Sequence, residues 1–114
     1  MNKRFLSLLE TAISRQASDL HVMVGVPPIL RIHGEIEAIE GDSLLAEDVD
    51  RLIMDDLSED RRAVLAKDLQ LCYSMKIPDL GYFRISVYYE QGTLGAAVRI
   101  GMTSIKSLSE LGLP

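Results

Sequence analysis

The chain has 114 residues, 47% of them hydrophobic, 25% charged and only 5% aromatic, with no Trp. That length and balance suit one compact domain with a mostly aliphatic core. The net charge of −5, with no basic stripe, excludes the non-specific nucleic-acid binding that runs on Lys and Arg against phosphates.

The opening MNKRFLSLLETAISRQ places Phe5, Leu8, Leu9, Ala12 and Ile13 at spacings of three and four. This predicts an amphipathic helix over residues 3 to 16. Lys3 and Arg4 before apolar residues imitate a signal peptide, but Glu10 breaks the apolar run and no small-residue cleavage pattern follows. No stretch approaches the roughly 18 consecutive apolar residues of a membrane span.

Alternation then takes over. In ASDLHVMV, Leu20, Val22 and Val24 point one way and Asp19, His21 and Met23 the other. Gly25 and Pro27-Pro28 punctuate the chain, and ILRIHGEIEAIEG reads as a hairpin turning at Gly34. Two helices are predicted in AEDVDRLIMDDLSEDRRAVLAKD. The first carries a stripe of Val49, Leu52 and Ile53. The second, with Ala63, Val64 and Leu65, starts near Glu59 behind Ser58 as N-cap. The acid spread from Glu35 to Asp68 reads as a solvated face. Three further strands follow in LQLCYSMKI, YFRISVYYE and LGAAVRI, and the tail SIKSLSELGLP suggests a short helix capped by Ser104 or Ser107. Cys72, the one cysteine, cannot form an internal disulfide, which fits a reducing compartment. Its apolar surroundings in sequence predict a buried structural thiol rather than a nucleophile. Strands joined by tight turns pair antiparallel, so the expected fold class is α+β: about five to six antiparallel strands with helices packed on one face.

Catalytic chemistry is sparse. Neither GxxxxGK[ST] nor GxGxxG occurs, His21 and His33 lack partners at metal-ligand spacing, and no nucleophile elbow is present. No metal site is expected, and the chain alone is expected not to hydrolyse anything. The informative feature is a pair of arginines. Phe83, Ile85 and Val87 share one strand face, which leaves Arg84 and Ser86 on the other; Ala96, Val98 and Ile100 likewise leave Arg99 on the other. In a two-residue hairpin turning at Gln91-Gly92, Glu90 faces Thr93, and counting back along both strands brings Arg84 opposite Arg99. Like charges directly opposite are unfavourable. Two guanidinium forks on a stiff ribbon can clamp a carboxylate or phosphate. Alternatively, each arginine pairs with an acid from a neighbouring element. Asp19 and His21 occupy the polar face of another strand. Either they fix a loop through local bonds, or that face, with Arg31, meets another domain or subunit.

The stretch ASDLHVMVGVPPILRIHGEI, with Ala17, Ser18, Asp19, Leu20, His21, Gly25, Pro27, Pro28, Arg31 and Gly34, resembles the N-terminal signature of the PilT group of type IV pilus retraction motors. That group belongs to the secretion ATPase superfamily with PilB and GspE. YFRISVYYEQGTLGAAVRI resembles the family's arginine-bearing hairpin, and SLSELGLP its linker into the motor core. The likeness runs through nearly the whole chain in order, and is weakest in the middle helices. Tyr82 stands where the family usually has Arg, Gly101 where it usually has Pro, and LQLCYSM replaces an acidic strand opening.

The resemblance implies a PAS-like N-terminal domain over 1–103, with 104–114 opening a linker to a RecA-like ATPase core outside these residues. It further implies a twitching-motility motor, a cytoplasmic homohexamer attached to the pilus machinery at the inner membrane. Its ATP and Mg would be held by the P-loop of the core, with Arg84 and Arg99 reaching the nucleotide. Alternatives kept beside it are an assembly or secretion paralogue of the PilB/GspE kind, a PAS-like module enclosing a small ligand, and an adaptor docking a protein through Asp19, His21 and Arg31.

Overall fold

A computed structural model describes residues 1–102. Asn2 starts the first helix, α1 (Lys3–Ser14), its side chain accepting a hydrogen bond from the Phe5 N–H at 2.9 Å. Phe5, Leu8, Leu9 and Ala12 form the buried stripe that the spacing predicts. The helix stops two residues short of the expected end, because Gln16 takes a positive φ of 60° and turns the chain into strand β1 (Asp19–Met23).

Strands β2 (Ile29–Ile32) and β3 (Glu35–Ala38) form the expected hairpin. Its two turn residues, His33 and Gly34, have φ of 50° and 82°, the doubly positive pair that a two-residue turn needs to match strand twist. Helix α2 (Ala46–Met54) buries Val49, Leu52 and Ile53. Helix α3 (Glu59–Asp68) begins at Ser58, whose hydroxyl accepts from the Arg61 N–H. Only Leu65 of α3 is buried, and Val64 is 42% exposed. The chain ends in strands β4 (Gln70–Ile77), β5 (Gly81–Glu90) and β6 (Thr93–Met102). The tail helix and the linker boundary expected beyond residue 102 lie outside the described residues.

All six strands belong to one antiparallel sheet in the order β3-β2-β1-β6-β5-β4. The core lies on one face, where Leu20, Val22, Leu30, Phe83, Ile85, Val87, Ala96 and Val98 pack with the apolar sides of α1 and α2. This is the α+β arrangement the sequence predicts.

One expectation is corrected. Cys72 is exposed, not buried, and its Sγ lies 3.2 Å from the Ser86 hydroxyl. Strand period explains it. Leu71, Tyr73, Met75 and Ile77 point inward, so Gln70, Cys72, Ser74 and Lys76 point outward.

Candidate functional site

The outer face of the sheet is built by strand periodicity alone. Every inward apolar residue of β1, β5 and β6 forces its neighbour outward, so the polar residues of these strands collect on one surface. The registers align them in rows. One row runs from Ile36 on β3 through Arg31 on β2, Asp19 on β1, Arg99 on β6 and Arg84 on β5 to Ser74 on β4.

Arg84 and Arg99 are direct cross-strand partners. Gln91 and Gly92, with φ of 52° and 82°, make the two-residue turn. Pairing is then unbroken from Glu90↔Thr93 to Gly81↔Met102, so no bulge shifts the arginines out of step. Successive pairs in an antiparallel ladder alternate between hydrogen-bonded and non-bonded. Counted from the pair that closes the turn, Arg84 and Arg99 form a hydrogen-bonded pair, with Cα atoms about 5.5 Å apart. Both residues are exposed.

Asp19 is flanked in register by Arg31 on one side and Arg99 on the other. Its Oδ1 lies 4.0 Å from Arg99 Nε, and its Oδ2 accepts from the Ser18 hydroxyl at 2.7 Å. The Arg99 side chain is 77% exposed and Asp19 22%. An exposed pair at that separation contributes between zero and about 1 kcal/mol, so it orients Arg99 more than it neutralises it. Among the described residues no carboxylate pairs with Arg84 or Arg31. The acid and the histidine on one strand face thus have different settings. Asp19 sits between two arginines. His21 lies one row along, between Ile29 and Ala97, and no cluster able to hold a metal exists among the described residues.

The structure therefore brings Arg31, Asp19, Arg99 and Arg84 into one line, with His21 beside it. The next row is Lys76–Tyr82–Gly101; the sequence marks Tyr82 and Gly101 as separate departures from the family pattern, and the hairpin register that pairs the arginines also pairs these two. Between these two rows lies a depression of about 200 Å³ lined by Ser74, Tyr82, Phe83, Arg84, Arg99 and Gly101. Elsewhere on this face Tyr88 lies against Gly95, its ring filling the space a Cβ would occupy. Partial burial first, then the Glu90 carboxylate, raises the Tyr88 phenol above its ordinary value. On β4, burial raises the inward-facing Tyr73 phenol, and the Arg61 guanidinium above its ring opposes that shift.

No family model matches the chain. The type IV pilus ATPase PilU of Pseudomonas aeruginosa is 27% identical over 110 residues, covering 96% of this chain and 29% of its own length. The pilus retraction ATPase PilT of the same organism is 28% identical over 106 residues, covering 93% of this chain and 31% of its own length. The crystal structure of the pilus retraction motor PilT with bound ADP superposes with a TM-score of 0.76 at 35% identity, over 82% of this chain and 28% of that one. The ATPase DotB of Legionella pneumophila, at 21% identity and a TM-score of 0.72, shares the fold over 97% of this chain and 32% of its own. The chain thus spans less than a third of each of these relatives.

Proposed function

We infer that this chain, an N-terminal domain of the PilT-type secretion ATPase family, is the phosphate-contacting and subunit-contacting half of a hexameric motor ATPase whose hydrolytic half lies in a separate core. The arginine pair carries the reading. Arg84 and Arg99 stand side by side in an unbroken register on an exposed face, with Asp19 the one acid beside them among the described residues. Placing two like charges opposite each other costs about 0.2–1 kcal/mol. A neutral residue at either position would avoid that cost, and a bound polyanion would reverse its sign.

The forks suit a triphosphate. Each guanidinium is planar, permanently charged and able to donate two parallel hydrogen bonds to phosphate oxygens. In phosphoryl transfer the charge that develops is spread over the equatorial phosphoryl oxygens, and arginines brought in beside them stabilise it. The nucleotide and its Mg belong to a P-loop, which these 114 residues lack. This domain's part is to bring Arg84 and Arg99 to phosphates already held there, and to leave when they are released. Arg31, Asp19 and His21, on the same face, form the contact to the core or to a neighbouring subunit of a ring. The likeness to PilT and PilU supports work at the pilus machinery, with an assembly or secretion role of the PilB/GspE kind as the alternative. No helix among the described residues is long and apolar enough to cross a membrane.

The test uses a protein carrying this domain together with a PilT-type ATPase core. Arg84→Ala and Arg99→Ala should each lower kcat for ATP about tenfold or more, with a smaller effect on KM. Lys at either position should fail to restore it, because an ammonium cannot make the planar two-point contact. Unaltered turnover in both Ala variants removes the clamp.

A further inference from the structure

Tyr82 is one of the few large apolar side chains left in solvent, at 51% exposure. It lies on the arginine face, two residues before Arg84 on β5 and directly opposite Gly101 on β6. Its ring is held by Lys76, whose ammonium sits 5.3 Å from the ring centroid, so an edge-strand cation orients it. Gly101 is what keeps the space beside it open. A Cβ there would come within 3.1 Å of the Tyr82 carbonyl oxygen and 3.2 Å of its Cβ. The first of these is backbone, which cannot swing aside. Tyr82 and Gly101 thus wall one side of the depression whose other side is Arg84 and Arg99. Arg84 and Arg99 line it, in a chain whose net charge is −5.

We propose that Tyr82 is a base-stacking shelf, making this face a site for a nucleoside polyphosphate rather than for phosphate alone. The inference rests on the clamp reading above and adds a specificity determinant to it. Two residues of strand separate the shelf from the clamp, about 7 Å, which is the order of the distance from a nucleobase to the first phosphates of its own chain. An exposed aromatic face accepts any base by stacking, so the shelf distinguishes nucleotide from bare polyphosphate without reading base identity. The Lys76 ammonium stays at the shelf end, over the Tyr82 ring, so the anionic end is Arg84 and Arg99 alone. Tyr82 touches the bound base, so it determines affinity and leaves phosphoryl transfer to other groups.

The experiment titrates the 114-residue chain with ATP and, separately, with inorganic triphosphate at millimolar concentration, following amide and side-chain NMR shifts. ATP should bind more tightly than triphosphate. Tyr82→Ala should weaken ATP by about fivefold or more and leave triphosphate unchanged, while Tyr82→Phe keeps the wild-type difference. An unchanged amide spectrum away from the site confirms that Tyr82→Ala stays folded. Shifts at Arg84 and Arg99 that are equal for the two ligands and indifferent to Tyr82→Ala overturn the shelf and leave the clamp standing. Shifts from neither ligand, or ATP shifts indifferent to Arg84→Ala and Arg99→Ala, overturn the shelf, and the clamp stands or falls separately on the turnover of the core-bearing protein.

Discussion

The two faces of the sheet are made by the same strands and have opposite physical characters. On the inner face Phe83, Ile85, Val87, Ala96 and Val98 are each 1% exposed. On the outer face their immediate neighbours, Arg84 and Arg99, are exposed. Nothing but the two-residue period of a strand separates them. The inner face holds the energy of folding, since apolar burial is the dominant favourable term. The outer face holds charge that folding does not need and that one like-charged pair even opposes. The difference teaches that stability and binding can be altered almost independently here, one residue apart.

The sharpest way to break that comparison is to truncate adjacent residues. Phe83→Ala removes a fully buried ring and should cost about 3–5 kcal/mol. For a domain of this size that is a large part of total stability. Arg84→Ala, the next residue, should change stability by no more than about 0.5 kcal/mol, as exposed substitutions do. Urea denaturation midpoints at constant m-value measure both. If Arg84→Ala costs as much as a core truncation, the outer face is structural and the division fails.

A second substitution grades the inner face itself. Leu71, Tyr73, Met75 and Ile77 on the edge strand β4 face inward but are only partly buried, because α3 presents a single buried residue, Leu65. Met75→Ala should therefore cost about 1 kcal/mol, well below the range of 2–5 kcal/mol for a fully buried Met or Ile. Ile85→Ala, on the central strand β5, is the matched control at full burial. Equal losses would mean that the sheet's edge is packed as tightly as its middle.

Much of this was legible from local rules. The β5–β6 hairpin announces its own register, because a two-residue Gln91-Gly92 turn leaves no freedom once the strands alternate cleanly. Ser58 marks the start of α3 by the chemistry of its hydroxyl. Cys72 is legible too, from the parity of Leu71, Tyr73 and Met75, because in a strand alternation decides exposure and the apolar character of the stretch does not. What no local rule contains is the pairing of β1 with β6, which joins opposite ends of the chain. Only that pairing sets Asp19 beside Arg99. Tyr82 and Gly101 lay within reach of the hairpin register, but the depression between them and the arginines depends on side-chain volumes that only the folded sheet displays.

The smallest predicted effect bears most directly on why the arginines face each other. Arg84→Glu places a carboxylate opposite Arg99 in a ladder where a second arginine now stands. An opposite-charge cross-strand pair is favourable by about 0.2–1 kcal/mol, and the like-charged pair it replaces is unfavourable. The variant should therefore unfold at slightly higher urea than the parent. The gain should shrink as salt rises and screens these exposed charges. Asp19 already approaches Arg99 from β1 at 4.0 Å, so the new carboxylate shares its cation, and the gain falls toward the low end of the range. If the same substitution raises stability while abolishing nucleotide-induced shifts, the native pair is retained at a cost to folding because it meets an anion. If stability falls, the two guanidinium groups are already accommodated by the folded domain, and the cost on which the clamp argument rests does not exist.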